Sequence, residues 1–155
     1  MKILFICTHN RCRSILSEAI TNHIAGDLID AKSAGSQPVG EVHPLSIQYL
    51  QEANISTQGL QSQSWDEFES FAPDVVVTVC DSAAGEACPV WFGKSIKIHW
   101  GLVDPSKIEG SEQQKAEGFR ACIAQIKQRA IKLKKIAEQS LSHEELKRAL
   151  LELVD

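Results

Sequence analysis

Residues 2–7, KILFIC, form an apolar run that stops abruptly at the polar stretch Thr8-His9-Asn10-Arg11-Cys12-Arg13-Ser14. So short a run ending in a polar turn reads as a buried strand feeding a loop. Leu16, Ile20 and Ile24 then share one face of a helix, with Ser14 as its expected cap and Gly26 as its end. A strand that passes through a single loop into a helix start must fold as a β-loop-α unit. Its loop opens at the carboxyl end of the strand, where α/β domains place their ligands.

The rest of the chain continues this alternation. Residues 31–34 read as a second strand, and Pro44 opens a helix to about Ala53, because proline suits a first helical turn. Residues 58–64 are turn-rich, and 65–71 suggest a short helix. The β-branched run DVVVTVC at 74–80 has the pattern of a strand covered on both faces. A loop with Gly85 and Pro89 follows, then a strand near 95–99. Ser111 and Gln114 form a capping box for a long helix whose core stripe is Phe119, Ile123, Ile126, Ala130, Leu133 and Ala137. Ser142 and Glu145 cap a last helix edged by Leu146, Leu150 and Leu153. Strands alternating with helices predict an α/β domain on a parallel sheet.

A length of 155 residues fits one such domain, and 43% hydrophobic with 23% charged residues is a globular balance. No apolar run approaches the ~18 residues that cross a bilayer. The N-terminus lacks a signal-peptide pattern, so a cytoplasmic address and no membrane partner are expected. A net charge of −4 argues against a nucleic-acid partner. Lys32 is the only Lys or Arg from Ser14 to Gly93, yet Arg11 and Arg13 sit just before that stretch. This contrast points to a small anion site. Lys127, Arg129, Lys132, Lys134 and Lys135 read as a solvated helix face. The five cysteines, Cys7, Cys12, Cys80, Cys88 and Cys122, show no CxxC pair or zinc-ribbon spacing, so no metal site is expected.

The loop after the first strand carries the chemistry. It sets the Cys7 thiol at a strand end, an arginine six residues later and a helix start immediately after. Backbone N–H groups and the helix N-terminus favour an oxyanion there. Arg13 adds a planar fork for two of its oxygens. The same field is expected to stabilise a Cys7 thiolate, with Ser14 donating to its sulfur. Asn10 tolerates the left-handed turn that so tight a loop needs. The expected oxyanion-binding set is Thr8, His9, Asn10, Arg11, Cys12, Arg13 and Ser14. Cys12 and Cys122 read as packing residues, and His43, His99 and His143 as non-catalytic.

CTHNRCRS resembles the Cys-x5-Arg-Ser phosphate loop of low-molecular-weight protein tyrosine phosphatases and of the arsenate reductases that share their fold. The resemblance covers roughly residues 1–139. It implies a single three-layer domain with a mostly parallel four-stranded sheet flanked by helices, residues 140–155 forming a helical extension. It implies that Cys7 is the nucleophile and Arg13 the oxyanion binder. Asp104-Pro105 matches the family's general-acid loop, since a departing oxygen must leave protonated. His9 stands where the phosphatases usually carry glycine.

Two readings share these residues. Phosphatases of this family usually follow the Asp-Pro with tyrosine, whereas Ser106 follows here and Tyr49 is the only tyrosine. The stretch VTVCD…CP around Cys80 and Cys88 resembles the redox segment of the arsenate reductases. That resemblance implies reduction of arsenate, with phosphate or sulfate as analogues, through a thiol–arsenate adduct on Cys7. A relay over Cys80 and Cys88 would follow, regenerated by an external thiol reductant, either thioredoxin or glutathione with glutaredoxin. Hydrolysis of phosphotyrosine through a Cys7 phosphoenzyme is the alternative, and an inactive oxyanion-binding module the third reading. No tightly bound cofactor is expected. Some reductases of the family hold potassium beside the loop. Asn10, Glu18 and Ser33 match that set, but Gln63 replaces the usual aspartate and leaves potassium binding in doubt.

Overall fold

The computed structural model describes residues 1–79 and 95–153. The β-loop-α unit expected from the N-terminus is present, as strand β1 (Lys2–Ile6) and helix α1 (Arg13–Ala25). After it come β2 (Asp30–Ala34), α2 (Pro44–Glu52), a 3-10 turn at Trp65–Phe68, and β3 (Val75–Thr78). Then follow β4 (Ile96–His99), a 3-10 turn at Pro105–Lys107, α3 (Glu112–Glu138) and α4 (His143–Glu152).

The four strands form one sheet in the order β2-β1-β3-β4, and every pair is parallel. Ile6 lies opposite Ala34 on one side and Thr78 on the other. The chain therefore leaves β1 toward β2 on one side and returns to β3 on the other. This is the switch point at which open α/β sheets bind ligands, and Cys7 stands on it. Ile3, Leu4, Phe5 and Ile6 are all essentially inaccessible, so helices or turns cover β1 on both faces.

Side chains pin the crossovers. The Asn22 amide, one turn before the end of α1, donates to Ala31 O at 2.9 Å and accepts from Ala31 N at 3.0 Å. That pair fixes β2 against α1. Ser111 and Gln114 make the expected reciprocal capping box at α3. Its core stripe runs as expected from Phe119 to Leu133; Ala137, five full turns after Phe119, is partly buried against the same core, and Ile136 beside it is buried as well.

One expected cap differs. The N-cap of α1 is Cys12, which makes no side-chain capping bond, and Ser14 lies inside the first helical turn. The chain enters α1 directly from the loop, so Ser14 turns back toward that loop.

Helix α4 belongs to the same hydrophobic core, because Leu150 is fully buried within it and Leu146 and Leu153 pack against its edge. Leu150→Ala should therefore cost about 2–5 kcal/mol in urea unfolding, the usual price of emptying a leucine site. The half-exposed neighbour Leu151 should tolerate alanine within about 0.5 kcal/mol.

Candidate active site

Strand β1 delivers Cys7, whose N–H donates to Ala34 O at 3.2 Å, into the loop before α1. The loop's carbonyls are held from outside. Thr8 O accepts from Gln37 N, His9 O from Val39 N and the Ser62 hydroxyl, and Arg11 O from His43 N. In a trans peptide the next residue's N–H points away from the carbonyl. The N–H groups of His9, Asn10 and Cys12 are thereby turned toward the inside of the loop. A ring of inward N–H groups is an anion cradle.

Asn10 makes this turn possible. Its φ of 47° is left-handed, and its side chain is fully buried. The amide oxygen accepts from Gln63 N at 2.8 Å, while the amide nitrogen donates to Ser14 Oγ at 2.8 Å. One short side chain thus ties the loop to the segment before Trp65 and to the first turn of α1. Ser14 is also fully buried. Asn10 and Ser14 brace the loop from behind, and their side chains do not line the cavity that the loop encloses.

That cavity, of about 180 Å³, is lined by Cys7, Thr8, His9, Arg11, Cys12 and Arg13, and on its far side by Asp104, Ser106 and Lys107. His9 is exposed at its mouth, its ring Nδ1 lying 3.2 Å from Gln37 O. Arg13 reaches from α1 to the far side, donating from Nη1 to Leu102 O at 3.0 Å. Its Nη2 stands 3.6 Å from Asp104 Oδ2, both side chains being only 16% exposed. Asp104 caps the 3-10 turn at Pro105–Lys107. Its Oδ1 accepts from Ser106 N at 3.0 Å and from Ser106 Oγ at 2.6 Å. The sequence distance between Arg13 and Asp104 closes because β1 and the segment after β4 end at the same sheet edge.

Burial dominates the quieter groups around the cavity. It pushes the Cys12 thiol up to about 11, against a hydrogen bond from Ser46. It pushes Cys122 on α3 up to about 12, with Cys12 adding to the effect. Both remain thiols at neutral pH and serve as packing groups. Burial and then the nearby Arg11 lower the pKa of His43. The His43 Nδ1 accepts from Leu45 N as the cap of α2, a role that needs the neutral ring. His99 Nδ1 lies 2.8 Å from Thr78 Oγ1 at the sheet edge.

Cys80 and Cys88, the two further thiols expected from the sequence, lie outside the described residues. Among the described residues, no three His, Cys, Asp or Glu side chains are grouped to hold a metal. The set matching a monovalent-cation site is bonded internally. Ser33 Oγ donates to Glu18 Oε1 at 2.6 Å, Gln63 Nε2 approaches Ser33 O at 3.4 Å, and both ends of the Asn10 amide are taken. Glu18 is buried, which raises its pKa against the Ser33 hydrogen bond. Among the described residues, no helix is long and apolar enough to cross a membrane.

The family profile of low molecular weight phosphotyrosine protein phosphatases matches residues 2–148, phosphate loop and Asp104 turn included. The chain belongs to this family. Within the low molecular weight phosphatase family it is similar to proteins named arsenate reductase. One from Halalkalibacterium halodurans is 36% identical over 118 residues, covering 76% of this chain and 84% of that protein. One from Bacillus licheniformis is 33% identical over 136 residues, covering 88% and 94%. A solved arsenate reductase in its phosphate binding state superposes with a TM-score of 0.72 at 30% identity, covering 86% of this chain and 96% of that one. The thioredoxin-dependent arsenate reductase of Corynebacterium glutamicum gives 0.69 at 29% identity, over 90% of this chain and 63% of that one.

Three supports of this family site escape a reading of the sequence, namely Gly35, the backbone N–H of Gln63 that holds Asn10, and the Ser106 hydroxyl. A Cβ on Gly35 would stand 2.5 Å from Thr8 O and 2.7 Å from Cys7 O, so the loop rests directly on the backbone after β2. The only signal in the sequence is a glycine immediately after a strand, and it does not name the neighbour. Gly35→Ala should lower stability by about 1–3 kcal/mol, because both obstructing atoms are backbone, and should weaken phosphate binding in a calorimetric titration. Gly101, where a Cβ meets only His99 Nε2 at 3.7 Å, should accept alanine within about 0.5 kcal/mol in the same urea unfolding assay.

Proposed function

We propose that this chain reduces arsenate to arsenite in the cytoplasm, using Cys7, Cys80 and Cys88 as successive thiols. The observation that carries the reading is the lining of the cavity. Among the described residues it offers a thiol, Arg11, Arg13, Lys107 and an acid, and no Phe, Tyr or Trp to stack on an aryl ester. Such a site suits a small inorganic oxyanion. The relatives named arsenate reductase support the same substrate.

In the first step the Cys7 thiolate attacks arsenic and forms a sulfur–arsenic bond. The inward N–H groups and Arg13 hold the other oxygens. One oxygen leaves as water after taking a proton from Asp104. In the second step the Cys80 thiolate attacks Cys7 sulfur. A sulfur–sulfur bond forms, the sulfur–arsenic bond breaks, and its electron pair stays on arsenic, which leaves as arsenite. Cys88 then attacks Cys80, freeing Cys7 and leaving a Cys80–Cys88 disulfide. An external dithiol reduces that disulfide. Thioredoxin suits this relay, as in the thioredoxin-dependent relative, and glutathione with glutaredoxin is the second reductant to test. The relay needs reduced thiols, which the cytoplasm maintains.

The site works without a bound monovalent cation. Ser33 spends its proton on Glu18, and the Gln63 amide brings a donor to the place where a cation would need an oxygen. Turnover should accordingly be equal in potassium and sodium chloride at matched ionic strength. A several-fold advantage for potassium would contradict this.

Substitutions separate the reductase from a phosphatase. Cys7→Ser should abolish activity, because a serine alkoxide is not available at neutral pH. Arg13→Lys should lose at least about 10²-fold, since a point charge cannot replace a two-pronged grip. Asp104→Asn should slow the chemical step by about 10²–10⁴-fold while leaving phosphate binding nearly intact. In steady-state assays with thioredoxin, Cys80→Ser and Cys88→Ser should both fail to sustain arsenite production. Aryl-phosphate turnover that survives both substitutions, with no arsenite formed by the wild type, would establish the phosphatase instead.

A further inference from the structure

We infer that Ser106 is a positioning residue for the acid of this site. Its hydroxyl holds Asp104 Oδ1, so that Oδ2 carries the transferable proton into the cavity. The inference rests on the reading of Asp104 as the general acid.

The two oxygens of Asp104 have different surroundings. Oδ1 takes two hydrogen bonds from one residue, the backbone N–H of Ser106 at 3.0 Å and its hydroxyl at 2.6 Å. The first bond alone accounts for Asp104 as the cap of the 3-10 turn. The second is an addition that a cap does not need. With both lone-pair directions engaged, Oδ1 cannot take up a proton without losing a bond. Oδ2 faces Arg13 Nη2 at 3.6 Å, a distance that is attractive for charges but too long for a hydrogen bond. Proton exchange with a leaving oxygen therefore falls to Oδ2.

Geometry gives the hydroxyl a second consequence. A carboxyl group anchored by backbone alone swings about its Cβ–Cγ bond, and the extra bond at Oδ1 stops that rotation. Pro105 fixes the backbone on one side of Ser106, and Lys107 lines the cavity on the other. Ser106 itself lines the cavity at the position where a family phosphatase would project its tyrosine ring. Here a small side chain takes that place, leaving the mouth open and turning its hydroxyl onto the acid.

The test compares Ser106→Ala and Ser106→Thr, each of which keeps the backbone N–H bond and hence the turn. Ser106→Ala should lower the single-turnover rate of adduct formation by about 3- to 10-fold through lost orientation, with phosphate affinity unchanged. Ser106→Thr keeps a hydroxyl and should restore most of the rate. Arg13, Cys12, His43, Lys107 and Cys122 also face or neighbour Asp104. They are common to all the variants and cancel in the comparison. In an Asp104→Asn background, Ser106→Ala should add no further loss.

An alanine variant with the wild-type rate overturns the inference, as does a threonine variant no faster than alanine or a further loss in the Asp104→Asn background. The failure of the underlying reading looks different. If Asp104→Asn alone leaves the rate unchanged, Asp104 is not the acid, whatever Ser106 does.

Discussion

The site depends on the loop turning the carbonyls of Thr8, His9 and Arg11 outward and the N–H groups that follow them inward. Left alone, such a conformation would be strained and desolvated. Each outward carbonyl is satisfied by the segment after β2 or by Ser62, and the left-handed residue at the tightest point is an asparagine with both amide ends bonded. The sheet order supplies those partners. Because β2 lies beside β1, the chain leaving β2 passes directly beneath the loop, close enough that only glycine fits at position 35. Fold and site are thus one construction: a side chain at Gly35 would press on the Cys7 carbonyl, and a change at Asn10 would reach Cys7 through the loop.

The second half of the site comes from a different strand. The segment after β4 brings Leu102 O and Asp104 to Arg13, so the guanidinium is already aimed across the cavity before any anion arrives. Preorganisation of this kind favours charge that develops during reaction, because no dipole has to reorient. It also sets the division of labour that the chemistry needs. In the proposed reaction Arg13 and the loop hold oxygens, while Asp104 handles a proton.

Much of this was legible in the sequence, because it is written in local patterns. The apolar run before Thr8, the helix-capping serines at 111 and 142, and the stripe from Phe119 to Leu133 each fix an element through its own neighbours. So does the Cys7-to-Arg13 spacing. The sequence pattern was less informative where distant backbone meets. Gly35 lies far along the chain from the loop it supports, and nothing in its own window names Cys7 or Thr8; the family resemblance put Gln63 near Asn10 but not its backbone bond to the Asn10 amide. Ser14 misled for a related reason. Serine at a helix start normally caps it, but here the cap is Cys12, two residues earlier, and the Ser14 hydroxyl accepts from Asn10. Ser106 was visible only as a missing aromatic ring, and its bond to Asp104 required the turn to be seen.

The central claim is that oxidation of protein thiols drives the chemistry at Cys7. The most direct measurement mixes reduced wild-type protein with excess arsenate and no external reductant, then counts arsenite released and thiols lost per chain. Electron balance predicts one arsenite and two thiols lost, with the disulfide mapped by peptide mass to Cys80 and Cys88. Unchanged thiols and no arsenite, from protein that still hydrolyses an aryl phosphate, would contradict the account.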